Sequence, residues 1–343
     1  RSTHMDPFEK IQLGNTGVTV PRLGLGTAPL SGMSLGDGLY GGTPHEIAVG
    51  VINRAQELGI SYVDTAPLYG AGSAEARLGK SKYATADRDS FVISTKIGRV
   101  LDPVSGGMSA ADDPDGIGDL VAVDSWTRDD VHRSIEESLV RLNMDHVEII
   151  YLHDPDTQPY GEEQSINEAF PALIELREQG VIKAIGCGMN IWEMPLQFIR
   201  RFDLDIILLA GRYTLLDHVG LAEFLPECVE RDVKIAIGGP YNSGILAREL
   251  SKPVTFNYEP APNHRVNQTR KLTKICVTHG VDLKAAALQF VLAHPAVATA
   301  IPGAESVTEL EQNIAMVEQN IPSALWSDMR SAGLIPDEAP TPA

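Results

Sequence analysis

Ser61-Tyr-Val-Asp-Thr-Ala-Pro-Leu-Tyr-Gly-Ala-Gly-Ser-Ala-Glu-Ala-Arg-Leu-Gly-Lys80 is one unit of the pattern that decides the fold. A short apolar run ends at Asp64, a tight polar turn carries Tyr69, and an alanine-rich helix opens at Gly72-Ser73. Loops at the carboxyl end of a strand combine rigid support with access, so an acid and a phenol delivered there form a candidate proton-transfer site.

The same rhythm recurs on both sides. Further apolar runs lie at 22–27, 91–95, 147–152, 182–186, 206–210, 233–237 and 298–301. Helical patterns separate them at 44–58, 72–83, 128–142, 164–180, 191–202 and 218–231, with a pair at 265–293 and one more at 306–319. Near-continuous apolar strands alternating with amphipathic helices imply a parallel sheet covered by helices. Eight such units favour closure into a (β/α)8 TIM barrel, although a doubly wound open sheet shares the local pattern. Ahead of them, residues 10–21 alternate around Gly14-Asn-Thr-Gly17, a β-hairpin signature expected to plug one end. Two stretches break the rhythm. Residues 98–125 are rich in Gly, Asp and Pro and are expected to overhang the catalytic face as a lid; residues 252–267 hold three prolines and Tyr258.

The 343 residues are long enough for two average domains, but no linker divides them, and one barrel over 6–335 is expected. Arg1-Ser-Thr-His-Met5 lacks an apolar core and reads as a cloning remnant. A net charge of −18 opposes nucleic acid and anionic membranes, and no apolar run is long enough to span a bilayer. Three cysteines, an odd number, suggest reduced thiols and a soluble cytoplasmic setting.

Several motifs fail on context. Gly36-Asp-Gly-Leu-Tyr-Gly41 matches a dinucleotide string but has no strand directly before it and no helix at its end. Gly79-Lys-Ser81 resembles the end of a P-loop, yet Ala74 stands where the first glycine belongs. No zinc spacing is present, and Cys187 reads as a small buried residue rather than a nucleophile.

What remains are polar residues at successive strand ends: Asp64 and Tyr69 after the second, Lys96 after the third, and His153 after the fourth in Tyr-Leu-His-Asp-Pro-Asp156. Each alone has a bland reading, as a cap, a solvated lysine or a structural histidine. In a barrel all four face one mouth, where catalytic groups from different strands meet. A phenol with a pKa near 10 is a poor acid or base at neutral pH, and a neighbouring ammonium is expected to favour its phenolate. Asp64 then holds Lys96, and His153 orients a substrate oxygen. Such a set has neither metal nor nucleophile, and hydride transfer to a nicotinamide cofactor is its natural complement.

On these residues the chain resembles the aldo-keto reductase superfamily, through Asp64-Thr-Ala-Pro-Leu-Tyr-Gly70, Ser94-Thr-Lys96, Leu139-Val-Arg-Leu142 leading to His153-Asp-Pro-Asp156, and Ile301-Pro-Gly-Ala304. The resemblance implies a (β/α)8 barrel binding NAD(P) in extended form, with Tyr69 as proton donor or acceptor beside Lys96, Asp64 and His153. It implies Asn190 at the nicotinamide carboxamide and the pyrophosphate loop in 240–246, through Pro240, Asn242, Ser243, Gly244 and Leu246. Thr27, Gln312 and Asn313 are further implied cofactor positions. Where many members have a Gln and a stacking Tyr, this chain has Ala210 and Gly238, which leaves Arg212 and Tyr213 as candidates for those roles. Members preferring NADP use a Lys and an Arg that correspond to Gly303 and Glu309 here, so NAD is expected over NADP. Glu309 as a plain helix-surface residue is the alternative.

Leu208-Leu-Ala-Gly-Arg-Tyr-Thr-Leu-Leu216 and Ile237-Gly-Gly-Pro-Tyr-Asn-Ser-Gly244 are similar to the branch containing D-threo-aldose 1-dehydrogenase, L-fucose (L-galactose) dehydrogenase and pyridoxal 4-dehydrogenase. That branch implies oxidation of a cyclic hemiacetal to a lactone, with a small sugar or aldehyde as partner. Trp126 and Tyr241 are candidate substrate contacts, with a core or hinge position the alternative for Trp126. A general aldehyde or ketone reductase and a non-catalytic nicotinamide-nucleotide-binding subunit are the competing functions.

Overall fold

The computed structural model describes residues 4–32, 41–106 and 112–343. Arg1 to Thr3 of the expected remnant, and the Gly36–Gly41 string apart from Gly41, lie outside them. In chain order the strands are β1 (Lys10–Gln12), β2 (Thr19–Pro21), β3 (Leu25–Gly26), β4 (Tyr62–Asp64), β5 (Val92–Ile97), β6 (Arg99–Pro103), β7 (Leu120–Asp124), β8 (Ile149–His153), β9 (Ala184–Met189), β10 (Ile206–Ala210), β11 (Lys234–Gly238), β12 (Thr255–Phe256), β13 (Glu259–Pro260) and β14 (Val297–Ala300).

Strands β3, β4, β5, β8, β9, β10, β11 and β14 pair side by side in that order, all in parallel. The ring closes where parallel bridges join Leu23 to Ala300 and Gly26 to Gly303, with Gly24 N donating to Ala300 O at 2.9 Å. Closure rules out the open doubly wound sheet. Gly26 is required at this seam, because a Cβ there would sit 2.7 Å from the Ile301 carbonyl oxygen. Below it, the Arg22 guanidinium donates to the carbonyls of Val297 at 2.7 Å and Ala298 at 3.0 Å, and to that of Leu292.

The core has two layers. Inside the barrel, Tyr62, Ile149, Tyr151, Ile206, Leu208 and Ala298 pack together, and Leu13, Val18 and Val20 of the antiparallel β1–β2 hairpin stop the bottom. Outside it, the other faces of the strands meet the helices α1 (His45–Glu57), α2 (Ser73–Gly79), α3 (Arg128–Leu142), α4 (Gly161–Gln164), α5 (Phe170–Glu178), α6 (Glu193–Arg201), α7 (Phe224–Glu230), α8 (Asn263–Thr278), α9 (Leu283–Leu292), α10 (Val307–Glu318) and α11 (Ser323–Ser331). Helix α3 shows why these segments are helical. Its buried residues Val131, Ser134, Ile135, Ser138 and Leu142 recur every three or four positions, Thr127 caps its start by accepting from Asp130 N, and Asn143 ends it in a left-handed conformation.

The structure differs from expectation in four places. The 98–125 stretch is anchored by an antiparallel hairpin, β6 with β7, and is tied to α2 and the residue after it: Arg77 Nε donates to Asp115 Oδ1 at 2.9 Å and Lys80 Nζ to Asp115 O at 2.7 Å. A buried guanidinium on α2 holds the loop's carboxylate beside Gly32, and none of the described residues of 98–125 lines the catalytic cavity. The 252–267 stretch holds the small β12–β13 hairpin and the start of α8. Residues 218–223 are turns rather than helix, since Asp217 accepts from Val219 N at 3.2 Å while its carbonyl accepts from Thr214 N at 2.8 Å. Helix α11 was not expected at all; Leu325, Trp326 and Met329 bury its inner face.

Candidate active site

Strand register brings the polar strand ends together. Asp64 ends β4, Lys96 lies near the end of β5 and His153 ends β8, while Tyr69 follows in the turn after β4. That turn depends on Gly70 at φ +62°, where a Cβ would lie 2.7 Å from Ser31 Cβ. Lys96 Nζ donates to both carboxylate oxygens of Asp64, at 2.8 and 2.7 Å, and to Thr65 O at 2.8 Å. The same Nζ is 4.9 Å from the Tyr69 ring centroid. Tyr69 and His153 meet edge-on, with centroids 6.1 Å apart and planes at 86°.

Beneath this set runs a buried hydroxyl chain. Ser94 Oγ donates to Asp64 Oδ1 at 2.6 Å. Tyr62 OH lies 2.8 Å from Ser94 Oγ and 2.9 Å from Tyr151 OH. An ionised carboxylate only accepts, so the direction is fixed: Tyr151 donates to Tyr62, Tyr62 to Ser94, and Ser94 to Asp64.

Burial dominates the electrostatics. It pushes the Tyr69 phenol well above its ordinary value, and Asp64, Asp154, Tyr258 and Tyr62 push the same way. In the protein alone, burial therefore outweighs the expected lowering by Lys96. Burial raises Asp64 and lowers Lys96, and each opposes the other's shift by its charge. His153 is held well below 6.5 by burial and then by Arg99 and Lys96, so its imidazole is neutral. Its carbonyl accepts from Trp126 Nε1 at 3.0 Å and Arg99 Nη1 at 3.2 Å.

The four residues line one cavity of about 360 Å³ with Thr27, Asp154, Asn190, Gly238, Tyr258 and Gly303. A second cavity of about 190 Å³ is lined by Pro240, Tyr241, Ser243, Gly244, Arg248, Lys284, Glu305, Glu309, Gln312 and Asn313. Both share Pro29, Gly239 and Gly303, which makes them adjoining parts of one trench across the seam. A catalytic bay joined by a glycine floor to a polar bay suits an extended dinucleotide, with Asn190 and Gly238 at one end and Glu309, Gln312 and Asn313 at the other.

A closed parallel barrel whose rim gathers Asp, Tyr, Lys and His is the architecture of a nicotinamide-dependent barrel oxidoreductase. The chain belongs to the aldo/keto reductase family, whose model matches residues 22–333, and is an NAD(P)-dependent enzyme of that family. It is 36% identical to pyridoxal 4-dehydrogenase of Microbacterium luteolum, over 97% of this chain and 99% of that protein. It is likewise 36% identical to D-threo-aldose 1-dehydrogenase of a Pseudomonas species, over 93% and 96% of the two chains. Among solved structures, the holo form of an aldo-keto reductase from Bacillus halodurans superposes with a TM-score of 0.73 at 26% identity, covering 96% of each chain.

Some expected site residues lie elsewhere. Tyr213 is fully buried against Phe290 and His294, so it offers no face to a nicotinamide. Arg212 lines neither cavity and donates to Gly211 O and Asn257 Oδ1. Leu246 is core, and the Asn242 side chain turns inward to accept from Thr214 Oγ1. Trp126 is buried behind His153 rather than set against substrate, and Tyr241 lines the second cavity, its hydroxyl donating to Asn313 Oδ1 at 2.7 Å. Cys187 is buried, with its thiol pushed up by burial.

Several lining residues were missed, among them Arg248, Lys284 and Glu305 in the second cavity and Tyr258 and Asp154 in the first. Tyr258, whose hydroxyl donates to Asn190 Oδ1 at 3.0 Å, lay inside the 252–267 stretch already marked as irregular. Asp154 stood beside His153 in the quoted motif; a second acid at a strand end was the signal.

Proposed function

We propose that the enzyme transfers hydride between NAD and the C1 hemiacetal of an aldose, giving a lactone, with Tyr69 as general acid/base. The observation that carries this reading is the gathering of Tyr69, Lys96, Asp64 and His153 on one cavity of about 360 Å³ that opens into a second polar cavity. The bound nicotinamide supplies the hydride acceptor in oxidation and the donor in reduction. Tyr69 exchanges the proton of the reacting oxygen, and neutral His153 donates a hydrogen bond to that oxygen. Lys96, held by Asp64, stabilises the phenolate as it forms, and the apolar walls Leu68, Met189, Leu208 and Ile301 exclude water. A phenol raised by burial rests protonated, so oxidation is expected to accelerate toward alkaline pH while reduction does not.

The likeness to D-threo-aldose 1-dehydrogenase supports the aldose. The equal likeness to pyridoxal 4-dehydrogenase supports a second reading, since pyridoxal also closes to a cyclic hemiacetal. Incubation with NAD and a panel of free aldoses plus pyridoxal, following NADH formation, decides between them; NADH from neither class overturns both.

The preference for NAD rests on Glu305 and Glu309 in the second cavity, whose carboxylates repel a 2′-phosphate and accept from a free ribose hydroxyl. Glu309 also caps the turn before α10, accepting from Glu305 N at 2.8 Å. Initial rates at low cofactor concentration are expected to favour NAD at least tenfold; comparable rates with NADP overturn the preference.

A further inference from the structure

We propose that Asp154 is the residue that selects a polyhydroxylated substrate, its carboxylate accepting hydrogen bonds from ring hydroxyls next to the reacting carbon; this rests on the aldose reading above. Asp154 lines the same cavity as Tyr69, Lys96 and His153. It follows the last residue of β8 in a left-handed conformation, φ 43° and ψ 52°, while its amide is tied to Gly188 O at 3.1 Å. The loop therefore fixes where the carboxylate points.

Most other polar groups around the cavity are committed to one another. Thr27 Oγ1 donates to Asp64 O at 2.9 Å, Ser31 Oγ to Ala28 O at 2.9 Å and Tyr258 OH to Asn190 Oδ1 at 3.0 Å. Lys96 spends its donors on Asp64 and Thr65. The Asp154 carboxylate has looser contacts: Oδ2 is 3.6 Å from Arg99 Nη1 and 3.3 Å from His153 Nε2. A carboxylate offers about four lone-pair sites, so acceptor capacity remains for hydroxyl donors. Burial, with repulsion from Asp156, pushes this carboxyl up to about 6 against the pull of Arg99 and Lys96. A site built to bond a substrate hydroxyl rejects analogues that lack it far more strongly than an apolar wall rejects an extra group.

The test compares wild type with Asp154→Asn and Asp154→Gly. Both residues tolerate the left-handed backbone, so the fold is expected to survive, as retained NADH fluorescence binding and an unchanged melting profile would verify. Steady-state oxidation of the best aldose from the panel is measured together with its monodeoxy analogues. The expected result is an aldose KM raised at least tenfold with a smaller change in kcat. For one deoxy analogue the variants and wild type should agree within about threefold, the non-additivity of partners in contact. A fall in kcat at unchanged KM overturns the proposal and makes Asp154 a positioning residue for His153. Equal losses on every analogue also overturn it. If wild type oxidises no aldose at all, the aldose reading fails first and the selection with it, which separates that outcome from the other two.

Discussion

Tyr69 and Ser94 flank the Asp64–Lys96 pair, Tyr69 with its ring 4.9 Å from Lys96 Nζ and Ser94 bonded to Asp64 Oδ1. Removing the Tyr69 hydroxyl in Tyr69→Phe takes away the proton carrier but little of the packing, so turnover is expected to fall by about 10²- to 10⁴-fold while NADH binding, read by fluorescence, is retained. Ser94→Ala acts from beneath: Asp64 Oδ1 loses its 2.6 Å donor and the Tyr62 hydroxyl loses its acceptor, both fully buried. Asp64 Oδ1 keeps Lys96, but one hydroxyl of the Tyr62–Tyr151 pair is left without an acceptor, which costs about 1–3 kcal/mol, measurable by urea denaturation. Because Asp64 holds Lys96, the alkaline rise of the oxidation rate should also move, whereas Ser94→Thr, which keeps the hydroxyl, should restore both. A pure packing defect would lower stability without shifting that profile.

Between elements, the join from α9 to β14 contains a proton-sensitive contact. His294 Nδ1 accepts the Ala296 amide at 3.1 Å, and burial lowers this imidazole to about 4. The unfolded chain takes up a proton near the ordinary value of about 6.5 that the folded chain refuses, so stability falls as pH drops. From pH 7 to 5 this residue alone should remove about 2 kcal/mol, and His294→Gln should flatten that part of the pH dependence in urea titrations. The same scale shows what was legible in the sequence. The eight strand–helix units were, because apolar runs and helical spacing report local burial. The docking of 98–125 on α2 was not, since it is set by Arg77 reaching Asp115 across 38 positions. Arg212, Tyr213, Asn242 and Leu246 were misplaced for a related reason: spacing puts a residue on a loop, but packing decides which way its side chain turns. The Asp64–Lys96 pair was readable because adjacent parallel strands align their ends whatever the loops do.

At the scale of the whole molecule, a protein carrying −18 must receive a dinucleotide that is itself an anion. Long-range repulsion should slow encounter, so NADH association measured by stopped-flow fluorescence is expected to rise severalfold from low to physiological ionic strength. A fall instead would show that Arg248 and Lys284, at the second cavity, govern the approach locally. The trench crosses the one place where the barrel is not held by chain continuity, the junction between its first and last strands at Gly26 and Gly303. A cofactor lying there would work as a clasp on a bracelet, resting on Gly26 and Gly303 from the two sides of the joint. At a hundredfold excess over Kd it should add about 2.7 kcal/mol to stability. Amides of the joint such as Gly24, Gly26 and Ala300 should then exchange more slowly with deuterium, so that feeding the enzyme its coenzyme also fastens the ring.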